Sequence, residues 1–277
     1  MPTILHNKMA NNDKDIIYLQ HGIIAMKKLF FNKDSYNGKI KKFIVSSDNE
    51  KNILIKQMNF NEDQVLISGL ARFDNIKDIS RENEKKKIII MPTWREWLIN
   101  SEDELKKSKF YNGYLELFRS ERLNNIIKKY NVEINFVLHI NMEKYSSLFG
   151  FINNENIKLI DLRHEKISNL IYSGDLWITD YSSVVLDFNY LKKPSLFFQP
   201  DKNEYLTKRG SFINFDTELV GDVSYTADEL INNIEEYICN DFKYKEKFWD
   251  ISKKYYKYND TNNCNRIYKA IIELDGV

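Results

Sequence analysis

Short apolar runs that alternate with amphipathic segments constrain this chain more than any other feature of its sequence. That alternation belongs to α/β proteins with largely parallel sheets. In the first block it predicts strands at 16–20, 43–46 and 65–68, with a helix at 48–58 between the last two. The run Gly69-Leu70-Ala71-Arg72-Phe73-Asp74 then leads into 77–87, a charged connector without apolar periodicity. The alternation restarts after it with strand 87–91, helix 113–129, strand 134–138, a short helix near 142–148 and strand 157–160. Helix 166–172, strand 176–179, helix 182–191 and strand 195–198 extend the pattern. The C-terminal third reads as helical, and Thr226-Ala227-Asp228-Glu229 is the signature of an N-terminal capping box.

The connector divides the chain into a domain over 1–76 and a second over 77–277. The second block has the elements of a whole nucleotide-binding-type domain. The first has about 75 residues and yields only three strands and one helix, fewer crossovers than a parallel sheet needs. It is expected to be an incomplete domain, continued by sequence not included in this chain.

A hydrophobic share of 43% and an aromatic share of 14% in 277 residues supply a packed core rather than a disordered chain. The formal net charge of +1 excludes a nucleic-acid binder that works by bulk electrostatics. Locally the balance shifts, because Lys27, Lys28, Lys33, Lys39, Lys41 and Lys42 are opposed in that stretch only by Asp34. Such a cluster suits a polyanionic acceptor or an acidic membrane surface, and equally a solvated face. Cys239 and Cys264 have no metal-ligand spacing and read as ordinary thiols. No stretch approaches the ~20 apolar residues of a membrane span, and Met1–His6 lacks a signal-peptide layout. A cytoplasmic enzyme, in contact with the membrane surface at most, is the expectation.

Five segments carry candidate chemistry. In Leu176-Trp177-Ile178-Thr179-Asp180-Tyr181-Ser182-Ser183 an apolar strand runs into a polar turn where a helix begins. Helix starts favour anions and strand carboxyl ends bind ligands, so the Ser182 and Ser183 hydroxyls suit a diphosphate, with Asp180 of the same turn a further substrate-binding candidate; Asp180 or Ser182 equally suits a plain N-cap. His21, followed by Gly22, and His139 each stand directly after an apolar strand, where an imidazole is well placed to move a proton and also commonly structural. Met91-Pro92-Thr93-Trp94-Arg95 presents a hydroxyl, an indole and a guanidinium, and Arg95 suits bidentate phosphate binding. Arg209, before Gly210, suits either a phosphate clamp or a surface salt bridge.

Together and in this order, these segments resemble the CDP-glycerol glycerophosphotransferases, the polymerases and primases of teichoic acid synthesis. The resemblance rests on Ile178–Ser183 continuing to Asp187-Phe188, on Pro194, Gln199-Pro200-Asp201 and Arg209-Gly210, and on Pro92–Arg95 and Gly69–Asp74 upstream. It covers roughly 16–235. It implies a glycosyltransferase-B-like fold of two Rossmann-like domains, with the active site between them and the CDP-alcohol held by the second. The family's two functional histidines would correspond to His21, as base for the acceptor hydroxyl, and His139. With Arg95, Ser182, Ser183 and Arg209, His139 would neutralise the diphosphate as CMP departs.

Two departures bear on the acceptor. Gln20 stands where many members carry tryptophan, and Ile23-Ile24-Ala25-Met26 replaces a threonine–proline after the histidine–glycine pair. They point toward a capsule-polymerase-like or divergent branch. The implied partners are CDP-glycerol or a related CDP-polyol, an anionic polyol-phosphate or glycolipid acceptor, and a peripheral membrane contact, with no nucleic acid. No metal cluster is expected and no cofactor is required, although Mg²⁺ could accompany the donor diphosphate. A nucleotide-sugar glycosyltransferase of the same fold, or a non-catalytic fragment that binds the donor without turnover, are the competing readings.

Overall fold

A computed structural model of the chain describes residues 15–150, 152 and 154–275; Met1–His6 lie outside the described residues. The chain divides into two compact units. One takes its described residues from Met1–Ile76, Ser211–Asn214 and Trp249–Val277, and the other is Lys77–Gly210 with Phe215–Phe248. The division falls at the charged connector. The grouping of everything after residue 77 into one domain does not hold, because two later segments return to the first unit.

In the first unit, β1 (Ile16–Tyr18), β2 (Ile40–Val45) and β3 (Val65–Ile67) form a parallel sheet in that order. The helix Asp48–Gln57 connects the last two, and Ile53 and Leu54 on its inner face join Phe43, Val45 and Phe60 in the core. Long-range bonds explain the returning segments. Phe212 N–H donates to Ala25 O (3.1 Å), and Lys257 N–H donates to Ser46 O (2.8 Å). Asp74 caps the helix Asn263–Asp275, accepting from Asn263 N at 2.9 Å and Cys264 N at 2.7 Å. A carboxylate at a helix start satisfies amides that lack an intrahelical partner and complements the dipole.

The second unit is a six-stranded, all-parallel sheet: β4 (Lys86–Ile90), β5 (Val132–Val137), β6 (Ile157–Ile160), β7 (Leu176–Thr179), β8 (Ser195–Phe198) and β9 (Asp222–Ser224). Their order is β6-β5-β4-β7-β8-β9. Renumbered within the unit this is 3-2-1-4-5-6, the doubly wound order of dinucleotide-binding domains. Winding reverses between β4 and β7, so their carboxyl ends flank the crevice where such sheets bind ligands. Aromatic packing fills one face, with Tyr114 in contact with Phe118, Phe136 and Phe198, and Phe118 with Phe136.

Several local expectations are corrected. The single helix at 113–129 is two, Lys109–Arg119 and Glu121–Lys129, because Ser120 stops the first and caps the second, accepting from Leu123 N (3.3 Å). The short helix near 142–148 is a 3₁₀ segment, Ile140–Phe149. Helices Glu102–Lys107 and Lys202–Lys208 and strand β9 carry no apolar run that announces them.

Gly69 joins β3 to the Asp74 cap at φ +77, and a Cβ there would lie 1.9 Å from Asn263 Oδ1. That amide is held by Asp74 and Arg266, so it has little room to withdraw. Gly69→Ala is therefore expected to lower stability by about 1–3 kcal/mol, measured by urea unfolding. An unchanged midpoint would mean that this junction relaxes freely.

Candidate functional site

The ends of β4 and β7 are bound to each other by one backbone bond and one side-chain bond. Met91 N–H donates to Ile178 O (2.8 Å), and Thr179 Oγ1 donates back to Met91 O (2.7 Å). One residue on, Thr93 N–H donates to Asp180 Oδ1 (2.8 Å). These bonds bring the Pro92–Arg95 loop and the Asp180–Ser183 turn together at the switch point. Thr93 Oγ1 is buried there without a hydrogen-bond partner. Trp94 stacks on His139 from the end of β5, with ring centroids 5.5 Å apart and planes at 23°. His139 Nδ1 accepts the Asn141 N–H (3.2 Å), which places the proton of the neutral ring on Nε2. His139 thus also caps the 3₁₀ segment that follows it.

Arg95 and Asp180 do not have the roles read from sequence. Arg95 is wholly buried, and its guanidinium bonds Asp201 at 2.7 and 3.0 Å, meets Asp180 Oδ2 at 2.8 Å and donates to Thr93 O. Phe110, Tyr181 and Tyr205 pack around it, with centroids 4.5, 4.9 and 5.3 Å from its central carbon. Every nitrogen is engaged, so Arg95 cannot clamp a phosphate without abandoning two buried carboxylates. Burial works against its charge, but Asp180 and Asp201 outweigh that effect and hold it firmly protonated. Burial also pushes the Asp180 carboxyl up, against the pull of Arg95. Asp180 caps no helix. Its Oδ1 accepts from Thr93 N and Tyr181 N, and its backbone carbonyl accepts from Gln199 Nε2 (2.9 Å). Both residues shape the loops from beneath.

Ser182 and Ser183 are half-buried at the start of the helix Val184–Tyr190. Ser183 occupies the cap position without a side-chain capping bond, and Ser182 Oγ accepts from Val184 N only at 3.4 Å. Arg209 ends the helix Lys202–Lys208 and pairs with Glu96 (3.1 Å), while Gly210 follows at φ +73. A pocket of about 170 Å³ opens at the carboxyl ends of β5 and β6, lined by Leu138, Ile140, Leu159, Asp161 and Arg163 among others. Among the described residues, no group of three or more His, Cys, Asp or Glu is arranged to hold a metal ion, and no helix is long and apolar enough to cross a membrane.

His21 and Gly22 lie in the first unit, in the loop after β1. The ring reaches solvent, yet desolvation by the surrounding chain, followed by the charges of Lys27 and Arg72, lowers its pKa. A lowered imidazole pKa favours the neutral ring, the form that accepts a proton. Two residues had no role read for them in the sequence, although Asp201 stands in a segment that carries the family resemblance. Asp201 is the second partner of Arg95. Glu50 is a buried carboxyl behind the His21 loop that accepts from Ile24 N at 2.6 Å. Ser47-Asp48-Asn49-Glu50 reads as a capping box, but only its Ser47 half forms, and nothing local tells that the Glu50 carboxyl turns to Ile24 instead.

Removing Arg95 tests its buried role. Arg95→Met should cost about 3–5 kcal/mol, because it strands two carboxylates without a counter-charge. A loss below about 1 kcal/mol in urea unfolding would show that water reaches the pair freely.

Comparison with known proteins gives the family and the fold. The chain is 30% identical over 274 residues to the minor teichoic acid biosynthesis protein GgaB of Bacillus subtilis, covering 95% of this chain and 29% of that protein. It is 28% identical over 244 residues to the teichoic acid glycerol-phosphate primase of the same organism, covering 83% and 57%. The chain thus spans about a third to a little over half of these relatives' lengths. Among solved structures, a variant of the wall teichoic acid polymerase TagF superposes with a TM-score of 0.70 at 20% identity, over 95% of this chain and 69% of that one. That likeness shows the fold, α/β and glycosyltransferase-B-like. The family model for CDP-glycerol:poly(glycerophosphate) glycerophosphotransferases matches residues 5–273, and the chain belongs to that family.

Proposed function

We propose that this chain transfers a polyol phosphate, with glycerol phosphate the expected cargo, from a CDP-alcohol to a hydroxyl of a teichoic-acid-like or capsule-like acceptor. The observation that carries the reading is the grouping of Thr93, Trp94, His139 and Ser182–Ser183 around the switch point of a sheet whose family uses a CDP-activated donor. The acceptor oxygen forms a bond to the glycerol-bearing phosphorus, and the bond from that phosphorus to the bridging oxygen breaks. CMP leaves with the electron pair, and the hydroxyl proton passes to neutral His21.

Charge that builds on the phosphate oxygens is met by fixed donors: the Ser182 and Ser183 hydroxyls, His139 Nε2–H and Arg209. Mg²⁺ entering with the donor would take its oxygens from the diphosphate and water, because Asp180 and Asp201 are committed to Arg95. Calorimetric titration with CDP-glycerol, CMP and UDP-glucose tests the donor. Selective binding of the cytidine ligands is expected, at least tenfold weaker when Ser182 and Ser183 are both changed to Ala. A preference for UDP-glucose would move the chain to nucleotide-sugar chemistry. No binding by any of the three would make it a fragment without a competent donor site. His139→Ala should lower turnover sharply and leave the fold intact.

The lysine-rich stretch after His21 supports a contact with an anionic surface. Phe30 projects from it at 87% exposure, between Lys28 and Lys33. A flexible phosphate polymer has no use for an exposed phenyl ring, whereas a lipid headgroup layer accommodates an aromatic ring flanked by cations. Sedimentation with anionic vesicles should exceed that with zwitterionic vesicles and fall with Phe30→Ser. Equal sedimentation with both would remove this contact.

A further inference from the structure

The turn that bears His21 is held at both shoulders by one carboxyl group. Glu50 is the third residue of the helix Asp48–Gln57 and is 1% exposed. Ser47 Oγ accepts the Glu50 N–H (3.2 Å), so the helix start is capped without the Glu50 side chain. That side chain turns back under the loop instead. Its Oε1 accepts from Ile24 N at 2.6 Å and from Gln20 Nε2 at 2.9 Å, and its Oε2 accepts from Ser46 N at 2.7 Å. Gln20 and Ile24 bracket His21 and Gly22. Gln20 also donates to Ile44 O on β2 (2.8 Å) and carries a positive φ of 40°, a conformation a non-glycine residue keeps only when its surroundings hold it there.

Ser46 extends the frame. Its hydroxyl lies 2.9 Å from Glu50 Oε2 and 2.7 Å from Tyr255 O, with one proton for two acceptors. A protonated Glu50 resolves this by donating to Ser46 Oγ, which then donates to Tyr255 O. Burial pushes the Glu50 carboxyl up in that direction, while its hydrogen bonds pull it back.

We propose that Glu50 is a positioning residue for His21, fixing the Gln20–Ile24 turn so that the imidazole keeps one orientation. The proposal rests on the transfer function for its kinetic consequence, but not for its structural one. Glutamine is nearly isosteric yet has only one acceptor oxygen for the three N–H groups that converge there, so Glu50→Gln must leave part of the frame unmade.

The ring ¹H–¹³C spectrum of the histidines tests this in the intact chain. In Glu50→Gln the His21 cross-peak should shift and broaden while those of His139 and His164 stay in place. Leu54→Ala, a core cavity in the same helix, serves as a control of equal or greater destabilisation and should leave the His21 peak unmoved. With CDP-glycerol and an acceptor, kcat should fall about tenfold to a hundredfold in Glu50→Gln with KM for the donor unchanged. A His21 peak unmoved in folded Glu50→Gln, or moved equally by Leu54→Ala, overturns the proposal. If the wild-type chain turns nothing over, the transfer reading fails and the spectra alone decide the role of Glu50. Should Glu50→Gln not fold, Gln20→Met removes the side-chain tie with Glu50 in place and is expected to move the same peak; an unmoved peak there counts equally against the proposal.

Discussion

A guanidinium sealed from water between two carboxylates is the interaction on which the second unit's loops depend. Arg95 comes from the turn after β4, Asp180 from the end of β7 and Asp201 from the turn after β8. Three neighbouring strands are thereby tied together at their carboxyl ends. Net stability is not its main yield, because desolvating buried charges costs about as much as their attraction returns. Its contribution is geometric. A planar fork with two carboxylates and three aromatic rings around it allows one arrangement, and lysine could not reproduce it. The Thr93 and Tyr181 amides then bind the same Asp180 oxygen, so the loops inherit their positions from the pair.

This use of Arg95 changes how the crevice can treat an anion. The strongest cation in the motif is withdrawn beneath the floor, and Arg209, which faces Glu96, is the remaining arginine of the candidate set. Under the proposed function, recognition of the donor then falls to Arg209, the Ser182 and Ser183 hydroxyls and the His139 N–H. A set made mostly of neutral donors would hold a diphosphate with less attraction for every passing phosphate, and such donors act most strongly where water is excluded.

The parts of the fold that were legible share one property. Strands β7 and β8 fall where the sequence puts them, because central strands of a parallel sheet are apolar for their whole length. The capping box at Thr226 was equally readable, since both of its partners lie within one turn. What could not be read is anything whose meaning depends on a distant partner. Arg95 looks like a phosphate ligand until Asp201, 106 residues away, is found against it. Nothing local in Trp249–Asp275 says that Tyr255 meets Ser46 or that Asp74 caps Asn263. Strand β9, read from Asp-Val-Ser, has too few apolar residues to be noticed.

The return of the C-terminal segment to the first unit sets an order of events during synthesis. The residues that complete that unit leave the ribosome after about 170 intervening residues, roughly 10–35 s later at typical elongation rates. Until then Asp74 has no helix to cap and the Ser46 hydroxyl has no Tyr255 carbonyl to meet. The three-stranded sheet lacks these partners while the larger unit is being made. Units connected in this way cannot be closed strictly in the order of the sequence; the segment made earlier is completed by one made later.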